Sequence, residues 1–160
     1  MKGIAPSTNR LWLGVQLLLM AAVFAAGWLW PALSPWWLLN KKIGEALFAV
    51  SGLIALAGCL ALRGSLSAFP QPRLRQLVTR GIYRYERHPM YAGLIVLGLG
   101  WVFWTGSIAA LVPLAALWWF LRRKAALEDG LLAQIYPEHD RYAKQTPCLL
   151  LCASGRGWKR

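Results

Sequence analysis

The stretch YAGLIVLGLGWVFWTGSIAALVPLAALWWFL (residues 91–121) contains no charged side chain. As a single helix it would measure about 46 Å at a rise of roughly 1.5 Å per residue, which exceeds the roughly 30 Å hydrocarbon layer of a bilayer. Thr105, Gly106 and Ser107 interrupt the apolar residues near the middle, and such residues favour a turn. The stretch therefore predicts a pair of short antiparallel helices, residues 89–104 and 108–121, the second kinked at Pro113.

Two longer apolar segments precede this pair. Residues 11–30 hold one strongly polar side chain, Gln16, and residues 43–62 are interrupted only by Glu45 and by small residues that permit close helix contact. Each segment has the length of a membrane-spanning helix. A cleaved signal peptide is the alternative for the first, although its apolar core is too long for one.

The polar segments complete the predicted organisation. Residues 63–88 form a loop with a short helix at residues 74–79, and residues 122–147 form an interfacial helix followed by a polar tail. The sequence thus predicts an all-α integral membrane protein. It consists of a single domain, residues 1–160, with about four transmembrane helices, the last two a short helical hairpin, and an interfacial C-terminal helix.

The charge distribution predicts the orientation. The chain is 58% hydrophobic and 15% charged, and its 18 Lys and Arg residues outnumber 6 Asp and Glu residues. With four spans and a cytoplasmic N-terminus, Lys41 and Lys42 are the only basic residues outside, as the positive-inside rule requires. Both termini are then cytoplasmic, at the inner membrane if the source is bacterial. The excess charge needs no nucleic acid, and anionic membrane lipids are the expected partners.

Two polar segments on this inner face contain the candidate site. Pro89 suits the first position of a helix, which leaves His88 at the N-cap. The free N–H groups of that turn, beside Arg87, suit a carboxylate or a phosphate. The adjacent acids Glu128 and Asp129 offer a complementary site for a cation, so the two segments together could hold a zwitterion. The alternative is an interfacial loop whose arginines contact lipid phosphates.

The cysteines predict no metal site. Cys59, Cys148 and Cys152 form no CxxC pair and have no histidine at zinc-ligand spacing. His139 lies in the polar tail and is expected to be exposed.

The stretch LVTRGIYRYERHPMYAG (residues 77–93) is preceded by FPQPR (residues 69–73) and followed by LRRKAALEDGLLAQIYPEHDRYAKQTP (residues 121–147). This pattern resembles the isoprenylcysteine carboxyl methyltransferase family and the related phospholipid methyltransferases, which are membrane enzymes that use S-adenosylmethionine. The likeness covers the C-terminal half of the chain. Its core is Arg-His-Pro-x-Tyr joined to a later acidic pair.

The resemblance implies roles for particular residues. His88, Arg87 and Glu128 are the expected catalytic residues, and Glu128 is expected to bind the amino group of the cofactor. The residues expected around S-adenosylmethionine are Tyr83, Arg87, His88, Pro89, Tyr91, Glu128 and Asp129. Ile82 and Pro137 depart from the family pattern, where proline and glycine respectively are common.

The resemblance also implies methyl transfer to an amphiphilic acceptor at the cytoplasmic membrane face. A prenylated cysteine carboxylate, a phospholipid amine and a small lipophilic thiol all fit, and the sequence does not choose among them or predict an oligomeric state. A small proton-coupled transporter that uses Glu45 is the alternative function, and a membrane reductase that binds a nicotinamide nucleotide is a further one.

Overall fold

The computed structural model describes residues 6–31, 37–62 and 77–149. These ranges contain a 3₁₀ turn (Gly81–Arg84) and no β-strand, and their α-helices are α1 (Pro6–Leu29), α2 (Trp37–Ala61), α3 (Pro89–Thr105), α4 (Leu111–Ile135) and α5 (His139–Gln145). The predicted all-α class is confirmed for these residues. FPQPR and Cys152 lie outside them.

Two helices are long and apolar enough to cross a membrane. The qualifying segments are Arg10–Leu29 in α1 and Leu39–Ala61 in α2, whereas α3 is apolar but has only 17 residues. Length and composition therefore support two of the four predicted spans.

The turn between α3 and α4 falls where the sequence predicts it. Gly106 ends α3 in the left-handed conformation, with φ 67° and ψ 10°, and its N–H donates to the Phe103 carbonyl. Glycine adopts this conformation without the steric strain that a β-carbon introduces. The predicted break at residues 105–107 is thus confirmed.

Helix α4 differs from its prediction at its start, because it begins at Leu111 rather than at residue 108. It then runs without a break to Ile135, so the predicted membrane helix and the predicted interfacial helix are one continuous helix. The basic residues 122–124 lie within it, since Arg and Lys are good helix formers. Pro113 lies in the first turn of α4, where backbone N–H groups have no intrahelical partner. The proline therefore removes no hydrogen bond of the helix, and the predicted kink is not expected there. The predicted helix at residues 74–79 is also wrong where it is described, since residues 77–79 are not helical.

Small residues bring α2 and α3 into close contact. A β-carbon added to Gly44 would lie 2.8 Å from the carbonyl oxygen of Gly100, and one added to Gly100 would lie 2.8 Å from the Phe48 ring. The Ser51 hydroxyl donates to the Gly93 carbonyl at 2.9 Å. Close backbone approach through glycine and serine is typical of helix packing in membranes, and the sequence prediction of such contact by the second span is confirmed.

The apolar core lies between α1, α3 and α4. Its buried members are Val23, Leu114, Leu117, Leu121, Ala125 and Leu149. Trp101 of α3 ties the layers together, because its indole N–H donates to the Phe24 carbonyl of α1 at 3.2 Å. This packing sets the polar C-terminal half of α4 beside the first turn of α3.

Candidate functional site

The site is built around the start of α3. Pro89 is the first helical residue and His88 is the N-cap, as predicted, but the His88 side chain makes no capping hydrogen bond. It turns towards α4 instead. Its Nε2 lies 3.0 Å from Asp129 Oδ1 and its Nδ1 lies 3.5 Å from Glu128 Oε2. The stacked Tyr91 ring, 5.5 Å away and inclined by 3°, supports the imidazole in this orientation.

The structure brings together the two segments that the sequence marks as candidates. The Tyr91 hydroxyl donates to Glu128 Oε1 at 2.6 Å, and Arg87 Nη1 donates to Asp129 Oδ2 at 2.6 Å. Both acids lie on the same stretch of α4 and are largely buried. The cationic and anionic groups proposed for a zwitterion therefore face one another.

Asp129 is the electrostatic centre of this cluster. Burial alone would raise the pKa of its carboxyl group. The hydrogen bond from His88 and the charges of His88, Arg87 and His139 outweigh burial and hold the pKa below its ordinary value. Asp129 is therefore ionised at neutral pH, so the His88 Nε2 carries the proton of the bond between them.

The tail from α5 to Leu149 closes one side of the site. The Tyr142 hydroxyl donates to the Tyr83 carbonyl at 2.5 Å, and the Arg87 N–H donates to the Pro147 carbonyl at 3.0 Å. Burial, together with smaller effects of Cys59 and Glu128, raises the pKa of Tyr83 to about 12. Burial also raises the pKa of Tyr142. Both phenols are therefore neutral hydrogen-bond donors at physiological pH.

Glu86 joins the tail to the helix start. The residue is only 6% exposed, and its Oε1 accepts the backbone N–H of His88 at 3.1 Å and that of Leu149 at 2.8 Å. From the sequence, Glu86 is one of several side chains of the polar loop that could assist removal of a proton, and this joining role is not predicted. Its distinguishing signal is that it is the only acid in the segment RGIYRYERHP (residues 80–89).

Lys124 is a residue of the site that the sequence analysis overlooks. Its Nζ donates to Gln16 Oε1 of α1 at 2.9 Å and lies 5.1 Å from the centre of the Tyr91 ring. Burial lowers the pKa of Lys124, while Glu128 partly opposes that shift. The available signal was Gln16, the one strongly polar side chain of the first apolar segment.

The expectation that His139 is exposed is wrong. His139 is 2% exposed because the turn after Tyr136 folds α5 back onto α4. Its Nε2 lies 3.4 Å from Asp129 Oδ1, yet neither ring nitrogen makes a hydrogen bond in the described residues, and the same is true of Arg87 Nε. Buried polar atoms in proteins nearly always have partners. The unpaired nitrogens of His139 and Arg87 therefore fit a polar ligand bound at the cluster.

Three donor atoms in the cluster could hold a metal ion. Ligand atoms of His88, Asp129 and Cys148 all lie within 4.8 Å of one another. The sequence predicted no such site, because these residues are far apart in the chain and follow no metal-ligand spacing.

Glu45, the residue of the transporter alternative, lies away from these groups at the start of α2. Its carboxylate is 2.9 Å from Lys42 Nζ, and both side chains are more than half exposed. This is the geometry of a surface ion pair and does not favour a buried proton carrier.

Comparison with known proteins decides the family. The model of the phospholipid methyltransferase family matches residues 39–139, a region that includes both acids of α4 and the start of α3. The chain belongs to the phospholipid methyltransferase family. The predicted family resemblance is thus confirmed.

Three curated proteins are similar to this phospholipid methyltransferase family member, and two of them are named as methyltransferases. A protein-S-isoprenylcysteine O-methyltransferase of Schizosaccharomyces pombe is 33% identical over 44% of this chain and 31% of its own length. The nickel-cobalt-cadmium resistance protein NccN of Alcaligenes xylosoxydans xylosoxydans is 40% identical over 45% and 34%. Protein-S-isoprenylcysteine O-methyltransferase B of Arabidopsis thaliana is 24% identical over 70% and 58%. This chain thus matches less than two thirds of the length of each of these three relatives. No solved structure matches the chain significantly.

Proposed function

We propose that the protein is a membrane methyltransferase that transfers a methyl group from S-adenosylmethionine to an amphiphilic acceptor at the cytoplasmic membrane face. Membership of the phospholipid methyltransferase family and the names of two relatives support the reaction class. The observation that carries the proposal is the acidic pair of α4 facing Arg87 and His88 at the start of α3.

The residues of the cluster fit the amino-acid part of this cofactor. Glu128 and Asp129 suit an ammonium group, whereas Arg87 and the N–H groups of the first turn of α3 suit a carboxylate. In the structure these charges pair with one another. The ammonium group of a zwitterion can replace the basic partners of the two acids, and its carboxylate can replace the acidic partner of Arg87. The nitrogens of Arg87 and His139 that lack a hydrogen bond offer further donors. Tyr83, Pro89 and Tyr91 complete the proposed cofactor site.

The chain's own residues would mainly bind, orient and exclude water. When bound, the cofactor supplies a methyl group already activated by a positive sulfur. The stacking of His88 on Tyr91 and the hydrogen bond from Tyr91 to Glu128 hold these side chains in fixed positions. Such fixed geometry lowers the entropic barrier of a bimolecular transfer.

The acceptor determines whether a base is needed. A carboxylate is already deprotonated and needs none, whereas an amine or a thiol must lose a proton. His88 is the proton acceptor that we assign for those substrates, because its imidazole lies within 3.5 Å of both the Glu128 and the Asp129 carboxylates at the start of α3.

Aromatic and basic pairs on α4 support placement of this site at the membrane boundary. Arg122 lies 4.9 Å from the Trp118 ring and Arg123 lies 5.1 Å from the Trp119 ring. Tryptophan and arginine side chains together are typical of the interface between lipid and water. The acids lie two turns further along α4, and an acceptor with a lipid tail could approach them from the bilayer.

Cofactor binding tests the proposed site. In detergent, isothermal calorimetry with S-adenosylmethionine should show at least a tenfold loss of affinity for Glu128→Ala and for His88→Ala, because truncating a buried charged partner costs about 2–5 kcal/mol. Glu138→Ala is the matched control, since Glu138 is exposed at the start of α5. Unchanged affinity in both site variants would contradict the assignment.

Incubation of the protein with isotopically labelled cofactor and lipid extracts tests the reaction itself. Mass spectrometry should detect transfer of the label to an extractable amphiphile, and the Glu128→Ala variant should not transfer it. Label that stays in the cofactor with every extract would refute methyl transfer to lipid-like acceptors.

Cysteine labelling tests the orientation. In a cysteine-free background, an impermeant maleimide added to intact cells should label Lys42→Cys, and it should label Glu138→Cys only after permeabilisation. Equal labelling of Glu138→Cys before permeabilisation would place the tail outside.

A further inference from the structure

Three segments that are distant in the sequence bring metal-binding donors together beside the helix start. His88 comes from the N-cap of α3, Asp129 from α4 and Cys148 from the tail, and their ligand atoms lie within 4.8 Å of one another. Tetrahedral coordination by nitrogen, oxygen and sulfur places ligand atoms about 3.3–3.6 Å apart. Ligand atoms 4.8 Å apart reach this spacing when they approach one another by roughly 1.2–1.5 Å.

The groups behind these donors have the arrangement of an outer coordination shell. Ligand histidines commonly donate the N–H of the second ring nitrogen to a carboxylate, and ligand carboxylates accept further hydrogen bonds. The His88 Nδ1 lies 3.5 Å from Glu128 Oε2, which leaves Nε2 directed at Asp129. Asp129 Oδ2 is bound by Arg87 at 2.6 Å, which leaves Oδ1 for a cation.

His139 is an independent sign that the cluster takes a ligand. Its side chain is 3% exposed, both ring nitrogens lack hydrogen bonds within the described part of the chain, and Nε2 lies 3.4 Å from the same Asp129 Oδ1. An unprotonated imidazole nitrogen at this distance can serve as a fourth donor. Within the described residues, Asp129 is the only carboxylate at salt-bridge distance from His139.

We propose that His88, Asp129 and Cys148, with His139 beside them, bind a thiophilic divalent cation such as Zn²⁺, Co²⁺ or Cd²⁺. Imidazole and thiolate donors select such ions over Mg²⁺ and Ca²⁺, which prefer oxygen ligands. On binding, the Cys148 thiol releases its proton to solvent, and the ring proton of His88 lies at Nδ1, facing Glu128. Glu128, Asp129 and the Cys148 thiolate then balance the charges of Arg87 and the cation.

Metal binding has a consequence that rests on the proposed function. His88 and Asp129 also belong to the proposed cofactor site, so the cation and S-adenosylmethionine exclude one another. A thiophilic cation would therefore inhibit methyl transfer by competing with the cofactor.

Cobalt(II) alone, added to the full-length protein in detergent, tests the metal site directly. The starting protein carries Cys59→Ser and Cys152→Ser, so that Cys148 is the remaining cysteine. Cobalt should produce a thiolate-to-cobalt charge-transfer band in the near ultraviolet. The band should disappear in the further variant Cys148→Ser, and His139→Ala should weaken cobalt binding by about 10–100-fold. Thermal unfolding of each variant verifies that it is folded.

Two results of the cysteine comparison would overturn the metal site: no charge-transfer band in the protein that retains Cys148, or a band that persists after Cys148→Ser. Asp129→Asn supplies a second test at another ligand, and unchanged cobalt affinity in this variant also overturns the site. The spectrum does not depend on catalysis, so failure of S-adenosylmethionine binding would refute the proposed function and leave the metal result intact. Cobalt that binds without lowering the affinity for S-adenosylmethionine would refute the competition.

Discussion

Removal of the Glu86 carboxylate is the most direct test of how the tail and the start of α3 are joined. Its Oε1 accepts the backbone N–H groups of His88 and Leu149, which belong to segments that otherwise meet through few backbone bonds. Glu86→Ala removes the acceptor for both donors. Glu86→Gln keeps an oxygen at the same position but removes the negative charge.

The magnitude follows from these two bonds. Each buried N–H left without a partner costs about 1–3 kcal/mol, so Glu86→Ala should destabilise the fold by about 2–6 kcal/mol. For a chain of this size 1 kcal/mol shifts the melting temperature by roughly 2–4 °C. The expected decrease is therefore roughly 4–24 °C. Glu86→Gln should lose about half as much or less, because a neutral acceptor forms weaker bonds than a charged one.

Thermal unfolding in detergent measures these shifts, with Glu138→Ala as a surface control. Calorimetric binding of S-adenosylmethionine by Glu86→Gln below its melting temperature adds a functional measurement. Affinity should fall, because the His88 backbone loses a charged anchor. A melting temperature for Glu86→Ala within about 2 °C of the unmodified protein would refute the reasoning, since the two N–H groups would then have found other partners.

Three further predictions concern packing, pH and the tail. Gly44→Ala should destabilise the protein by about 1–3 kcal/mol, because the new β-carbon meets the α3 backbone. In the control Gly52→Ala the β-carbon meets nothing within 4 Å, so this change should be neutral or stabilising by up to about 1 kcal/mol. Equal melting temperatures of the two variants would contradict this prediction. The native pKa of Asp129 is lowered, so its contribution to stability is present above its ordinary value of 3.8 and is lost as the pH falls through the native value. Asp129→Asn should flatten this acid limb of the stability curve, and an identical limb would refute the assignment. Tyr142→Phe removes the bond to the Tyr83 carbonyl and should lower the free energy of unfolding by about 0.5–1.5 kcal/mol, measured by thermal unfolding; no decrease would show that the bond contributes nothing.

Local sequence signals account for the elements that were predicted well. Pro89 fixes the start of α3 because its ring suits the first helical position, and Gly106 ends the helix because it adopts the left-handed conformation. Both signals act over a few residues, so the sequence alone carries them. The continuation of α4 past Leu121 was predicted as an interfacial helix, because the change from apolar to basic residues signals the end of a membrane segment, not the end of a helix.

Contacts across the fold account for what was missed. Glu86 and Leu149 are 63 positions apart, and Gln16 and Lys124 are 108 apart. No periodicity relates such pairs, because each contact exists only after α1 has docked on α4 and the tail has folded back. The burial of His139 has the same origin.

The sequence by itself determined the all-α class, two helices suited to a membrane, the helix start at Pro89 and the family, because these depend on apolar length, backbone preference and a local motif. The tertiary structure alone decided that Asp129 lies among Arg87, His88 and His139, and that Cys148 lies beside them. The physical reason is that charge pairing and burial depend on distances through space, and helix docking, not chain order, determines those distances.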